Sequence, residues 1–385
     1  MAGFGVYFHR SIRKLSLMAF ENKHILNLQP YKVASHKIWE VEPSERSNVL
    51  KLDWNEATIS PSPLVQKRIL ELVSGPSFYN LYPATHSEIL HEKLCVYAGV
   101  KKENLQYFPS SDALHEYIST VFLSERDTVL LLGPTYDNFR LTCESHGART
   151  VYFNYTENFK LNQSQFEDEI HKTVPKLVYI CNPNNPTGNL ISADYIQHLL
   201  VKFSDILFLI DEAYTEFSGH SVKDLTNRFS NILITRTLSK AFALANFRIG
   251  YLISSEEIIR NISKIRNPKN FTTFSQEATI AALSDVEYMR NYVEEVKIAK
   301  LKFINFLNEN GGRIKPFNGH GNFILIKFET DEIKNNFIEF MELNNIFLRN
   351  LTHSTLLNKC LRITIGNIQQ MQFVQDKITE FWQKN

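Results

Sequence analysis

Through its middle, the chain alternates short apolar runs with segments of helical periodicity. The runs are Leu105–Phe108, Thr128–Leu132, Thr150–Phe153, Leu177–Cys181, Ile206–Ile210 and Ile232–Thr235. Several lack polar alternation, which is the pattern of strands covered on both faces in a mainly parallel sheet. After Asp112, residues Leu114, Tyr117, Ile118, Val121 and Phe122 recur at helical spacing and predict one buried face. After Ser192, which reads as an N-cap, Ile196, Leu199, Leu200 and Phe203 do the same. Strand–helix alternation of this kind predicts a doubly wound α/β domain. Further on, a long helical pattern runs from about Val286 to Asn308 and stops at Gly311-Gly312. A strand pattern follows at Asn322–Phe328, and a last helix from about Gln369 to Gln383. The organisation expected is an N-terminal arm (1–27), a large domain (64–285) and a smaller α+β domain from 28–63 and 286–385. A ligand site is expected between the two domains.

The 385 residues are 43% apolar, enough for a packed core of more than one domain. Lys and Arg total 42 against 41 Asp and Glu, so no overall field favours nucleic acid or an anionic membrane. Cys95, Cys143, Cys181 and Cys360 form no CxxC pair and no zinc-finger spacing. They are read as reduced thiols of a cytoplasmic protein, and no metal is expected. Near the N-terminus, Arg10, Arg13 and Lys14 precede only six apolar-rich residues, Leu15–Phe20, too short for the ~7–15 of a secretory signal. No stretch approaches the ~18 apolar residues of a membrane span.

Ligands of open α/β sheets gather at the carboxyl ends of strands. Four polar clusters stand just past strand-like runs: Ser110-Ser-Asp112, Asn182-Pro-Asn-Asn-Pro-Thr-Gly188, Asp211-Glu-Ala-Tyr214 and Thr237-Leu-Ser-Lys240. Each alone reads as a turn; four at equivalent ends of successive strands describe a site.

The segment Arg236-Thr-Leu-Ser-Lys-Ala-Phe-Ala-Leu-Ala-Asn-Phe-Arg-Ile-Gly250 resembles the cofactor-lysine segment of fold-type I pyridoxal-phosphate (PLP) aminotransferases, most of all the histidinol-phosphate aminotransferase branch. Asn55-Glu56, Asn80-Leu-Tyr-Pro83, Gly133-Pro-Thr-Tyr136, Asn182–Gly188, Asp211–Tyr214, Asn322-Phe323 and Leu361-Arg-Ile-Thr-Ile-Gly366 resemble that branch in the same order, from about Leu28 to Gly366. The resemblance implies an α/β PLP-transferase fold of type I, with a mainly parallel sheet of the seven-stranded type between helices. It implies PLP held by Lys240 as a Schiff base, Asp211 beside the ring nitrogen, and Asn185 and Tyr214 on the phenolic oxygen. Tyr136 would stack on the ring. Ser111, Asp112, Thr237, Ser239 and Arg248 would serve the phosphate, joined by Tyr82 from the second subunit of a homodimer. On the substrate side it implies Arg362 for the α-carboxylate and Arg349 as a second arginine that can meet a substrate phosphate, with Asn322 and Asn55 nearby.

The chemistry agrees with these residue types. A buried carboxylate favours the protonated ring nitrogen, an arginine fork suits carboxylate or phosphate, and helix-opening N–H groups suit an anion. Three departures stand out. Ser110 replaces the usual Gly, Ile59 stands where a substrate-side tyrosine is expected, and Lys32-Val-Ala-Ser35 follows Leu28-Gln-Pro-Tyr31 in place of Pro-Gly. The expected reaction moves an amino group between an amino acid or amino-phosphate compound and a 2-oxo acid. The same motifs would also serve a specialised biosynthetic aminotransferase, or an amino-acid-phosphate decarboxylase or lyase. A non-catalytic PLP-fold effector and a dinucleotide enzyme are the remaining readings; no GxGxxG follows a strand here.

Overall fold

Runs that lack alternation become strands whose two faces are both buried. In this computed structural model, which describes residues 21–384 apart from 27, 31–36, 77, 310–311 and 352–353, seven strands form one sheet, all largely buried except the edge strand Arg149–Asn154. They are β2 (Leu105–Phe108), β3 (Thr128–Gly133), β4 (Arg149–Asn154), β5 (Leu177–Cys181), β6 (Leu207–Asp211), β7 (Ile232–Thr237) and β8 (Gly250–Ser254), in the order β2-β8-β7-β6-β5-β3-β4. Only β8 runs against the others. Val129, Leu131, Leu177 and Tyr179 face one buried cluster, and Leu130, Leu132, Val178 and Ile180 face the other. Each fully buried large apolar side chain contributes about 1.5–3 kcal/mol, so these strands need no polar face.

A second sheet has the order β1-β11-β12-β10-β9, from β1 (Leu50–Leu52), β9 (Ile314–Phe317), β10 (Phe323–Phe328), β11 (Ile346–Asn350) and β12 (Cys360–Thr364). Its β1 pairs in parallel with β11, and the rest is antiparallel. The expected strands lie where the apolar runs stand, with ends shifted by a residue or two. Strands β1, β8, β9 and β11 were not among the expectations. The expected helices are Ser111–Phe122, Ala193–Lys202, Val286–Glu309 and Ile368–Lys384, and Ser192 caps the second by accepting from the Tyr195 N–H. Gly312 has a left-handed backbone (φ 76°), as a helix stop requires, while its neighbour Gly311 lies outside the described residues. Residues 1–20 of the expected arm and the Lys32–Ser35 departure also lie outside them. Residues 23–26 form a helical turn whose Lys23 pairs with Glu125 at 2.7 Å. Among the described residues no helix is long and apolar enough to cross a membrane.

Candidate active site at the strand ends

Because β2, β3, β5, β6 and β7 are mutually parallel, the polar clusters that follow them meet at one edge of the seven-stranded sheet. At the end of β2, Ser110 turns the chain into the helix Ser111–Phe122 and caps it, its hydroxyl accepting from the Ala113 N–H at 3.1 Å. Its backbone (φ 95°, ψ 160°) lies in a region that favours glycine. The neighbouring strand explains the close fit: a Cβ at Gly250 would come within 2.4 Å of the Ser111 nitrogen. Only glycine at 250 leaves room for this turn.

Asp112 joins two of the expected residues. Its carboxylate accepts from the Tyr136 hydroxyl at 3.0 Å and from the Arg248 guanidinium at 3.1 Å. Thr237 donates to the Ile249 carbonyl at 2.9 Å and accepts from the Ser239 N–H at 3.1 Å, which folds the strand end back toward Lys240. Lys240 donates to the Trp54 carbonyl at 3.0 Å. Burial pulls its ammonium down to about 8, against the opposing influence of Glu56. A lysine depressed in this way spends more of its time as the nucleophilic amine.

Asp211, at the end of β6, is buried. Its carboxylate accepts from the Tyr179 hydroxyl at 3.0 Å and the Ala213 N–H at 3.2 Å. His115 lies behind it, with Nε2 3.9 Å from Oδ2 and neither ring nitrogen hydrogen-bonded among the described residues. Burial pushes the Asp211 carboxyl above the usual carboxylate range, and His115 and the Tyr179 hydroxyl oppose that rise. His115 and Tyr179 were missed by sequence reasoning. Each occupies a position that reads as core, and only the fold brings them to Asp211.

The second sheet closes the site. Asn55, with a left-handed backbone (φ 56°), donates to the Tyr214 hydroxyl at 3.0 Å, and Asn185 donates to the same oxygen at 3.1 Å. Asn322 donates to the Asn55 carbonyl at 3.1 Å. Arg362 on β12 is buried; it donates to the Asn185 side-chain oxygen at 2.6 Å and to the Asp53 carbonyl. Arg349 on β11 is the cross-strand partner of Arg362 and is half-buried. The structure therefore brings together every expected residue except Tyr82. That side chain is 80% exposed, with the Lys269 ammonium 4.7 Å above its ring. The site combines a buried amine, a buried acid, paired amide donors on a phenol, an arginine fork and a helix N-terminus. It can capture a carbonyl, hold a cationic ring nitrogen and bind anions at both ends.

Residues 47–378 match the family described as Aminotransferase class I and II. The chain is 45% identical over 369 residues to a dihydroxyacetone phosphate transaminase of Campylobacter jejuni, covering 94% of this chain and 97% of that one. It is 35% identical over 356 residues to a histidinol-phosphate aminotransferase of Ruminiclostridium cellulolyticum, covering 91% and 93%. Its fold matches the crystal structure of histidinol-phosphate aminotransferase from Sinorhizobium meliloti in complex with pyridoxal-5'-phosphate, with a TM-score of 0.82, 22% identity, and 96% and 99% of the two chains covered. The strand-end site and these likenesses agree: the chain belongs to the class I and II aminotransferases, fold-type I enzymes that work with pyridoxal phosphate.

Proposed function

We propose that this aminotransferase exchanges an amino group between an amino acid and a small phosphorylated ketone of the dihydroxyacetone phosphate class. The observation that carries the reading is the register Arg349↔Arg362. Residues directly opposite in an antiparallel pair project from the same face, and like charges there repel. Two guanidinium groups so placed suit an anion with two charged ends, or two anions taken in turn. Arg362, braced by Asn185 and Asp53, is the carboxylate fork. Arg349 makes no side-chain hydrogen bond or ion pair with a described residue, which leaves its fork for a phosphate. The 45% identity to a transaminase named for dihydroxyacetone phosphate supports the choice. So does Ile59, which packs against the core where the branch places a substrate-side tyrosine.

The residues present fit the cofactor. A buried, depressed lysine, an acid backed by a histidine whose ring nitrogens make no hydrogen bond with a described residue, and a hydroxyl-rich helix N-terminus form the donor set it needs. Bound PLP supplies a carbonyl for the amino group and an electron sink for the charge left at carbon. Lys240 supplies the amine and then moves a proton at its Nζ. Asp211 keeps the ring nitrogen protonated. Tyr214, held by Asn55 and Asn185, directs its hydroxyl to the phenolic oxygen, and Tyr136 covers the ring. Ser111, Thr237, Ser239 and Arg248 bind the phosphate. The seven-stranded unit and the five-stranded unit act as the large and small domains, with the site between them.

Tyr79, Leu81 and Tyr82 are exposed together in sequence, which supports a homodimer that carries Tyr82 into the partner's site. All four cysteines are buried and free, in keeping with a cytoplasmic enzyme.

The test is the two half-reactions, followed by absorbance of the bound cofactor. With glutamate or aspartate as donor, the 2-oxo acid should form. Dihydroxyacetone phosphate should then take the amino group and restore the starting spectrum. Arg349→Ala should weaken that second half alone. Restoration by the ketone of histidinol phosphate but not by dihydroxyacetone phosphate would overturn the substrate, and release of carbon dioxide from a phosphorylated amino acid would overturn transamination.

A further inference from the structure

A lysine stands on the buried face of the long helix Val286–Glu309. Val293, Val296, Ala299, Phe303 and Leu307 line that face, and Lys300 lies among them, 7% exposed. An ammonium there is costly unless it is hydrogen-bonded. Lys300 donates to the Gly321 carbonyl at 2.9 Å and to the Gly319 carbonyl. These oxygens flank His320, whose own N–H donates to the Gly188 carbonyl at 2.8 Å. Gly188 ends the Asn182–Gly188 loop that carries Asn185. The two backbones touch: a Cβ at Gly188 would meet the Gly319 Cα at 2.6 Å. One residue past the grip, Asn322 donates to the Asn55 carbonyl, and Asn55 donates to Tyr214.

We propose that Lys300 is a positioning residue for the reaction. Its buried ammonium grips the Gly319 and Gly321 carbonyls and seats their turn on the Gly188 loop, which sets Asn322, then Asn55, and through Asn55 the Tyr214 hydroxyl. The helix thus acts on the site from behind, without touching substrate or cofactor. Burial pulls Lys300 down to about 7, and no carboxylate offsets that pull. The two carbonyl acceptors are served by its N–H donors whether the group is ammonium or neutral amine. Removing the donor strands the Gly319 and Gly321 carbonyls, so a purely structural lysine would show only a lower unfolding temperature, with the cofactor's titration and the rate of the loaded enzyme unmoved.

The proposal rests on the assignment of Tyr214 to the cofactor's phenolic oxygen, so Tyr214→Phe is measured beside it. Holoenzymes of Lys300→Met, Lys300→Arg and Tyr214→Phe are compared with the parent, together with Leu301→Ala, an exposed neighbour, as control. The readouts are cofactor content, thermal unfolding, the pH titration of the bound cofactor's visible absorbance, and both half-reactions. Lys300→Met should fold and keep its cofactor, at a lower unfolding temperature. It should shift the absorbance titration in the same direction as Tyr214→Phe, and lower kcat about tenfold with KM changed less, as for a small misplacement of a reacting group. Lys300→Arg should fall between Lys300→Met and the parent. If Lys300→Met fails to fold, Lys300→Gln, which keeps one donor, should show the same shift at smaller size. A folded, loaded Lys300→Met or Lys300→Gln with the parent's titration and kcat overturns the role of Lys300 while Tyr214→Phe still shifts. An unshifted Tyr214→Phe overturns the Tyr214 assignment itself.

Discussion

Replacing Asp211 by Asn changes a charge while leaving almost every contact in place. The Ala213 N–H at 3.2 Å can still donate to the amide oxygen, and the Tyr179 hydroxyl at 3.0 Å can turn to accept from the amide nitrogen. Folding and cofactor content should therefore survive. The charge is a different matter. Two unit charges about 4 Å apart interact by about 4 kcal/mol at an effective dielectric of about 20. On the proposed role, a cationic ring nitrogen beside the Asp211 carboxylate would lose a term of that order when the charge is removed. Some of it is lost in the ground state as well, so about 3 kcal/mol should appear in the barrier, roughly a hundredfold in kcat. The assay is a stopped-flow half-reaction with glutamate, alongside the cofactor content of the purified variant. A fully loaded Asp211→Asn enzyme within about threefold of the parent rate would show that Asp211 does not control the nitrogen.

Ser110→Gly should relieve a backbone strain of about 1–3 kcal/mol and lose a cap worth only a few tenths when glycine replaces serine. Offset by about 1 kcal/mol of added unfolded-chain freedom, thermal unfolding should stay level or rise slightly; a marked fall would show that this turn is unstrained. In cofactor-free protein, capture of PLP should speed up as pH rises through about 8, the value to which burial pulls the Lys240 amine. A rate flat from pH 7 to 9 would place the reactive amine elsewhere. Arg362→Lys keeps the charge but cannot reach both Asn185 and the Asp53 carbonyl while forking a carboxylate. Efficiency with every carboxylate-bearing partner should fall about a hundredfold, with the phosphorylated ketone half-reaction spared; equal losses in both halves would refute that division.

The carboxyl-end clusters were legible because strands buried on both faces announce themselves as unbroken apolar runs, and the polar residues after them stand out. β1, β9 and β11, three to five residues each, carry too little pattern for a period to show. β8 follows β7 and the lysine segment with no α-helix between them, so strand–helix alternation does not set its run apart. His115 sits in the stripe with Leu114 and Ile118, so a helical wheel reads it as core, and its partner Asp211 is distant in sequence. Lys300 left a visible signal: it falls at helical spacing between Val296 and Phe303, on the face that the periodicity buries. A charge on an apolar stripe asks for a partner, and here the partner is backbone, which no side-chain pattern reveals.

The pairing of β1 with β11 also orders events while the chain is being made. All seven strands of the large sheet have emerged by Ser254, and the clusters around Lys240 and Asp211 can assemble on them. Asn55 cannot take its place then, because its amide waits for the Thr364 hydroxyl, 309 residues further along. On a ribosome adding about 5–20 residues per second, the first-made segment of the site stays undocked for roughly fifteen seconds to a minute after it emerges. During that interval the lysine and acid are formed but Tyr214 lacks its Asn55 partner. A chain ending before residue 346 would carry Lys240 and Asp211 without the Asn55–Tyr214 contact, which would let cofactor capture be assayed apart from transamination.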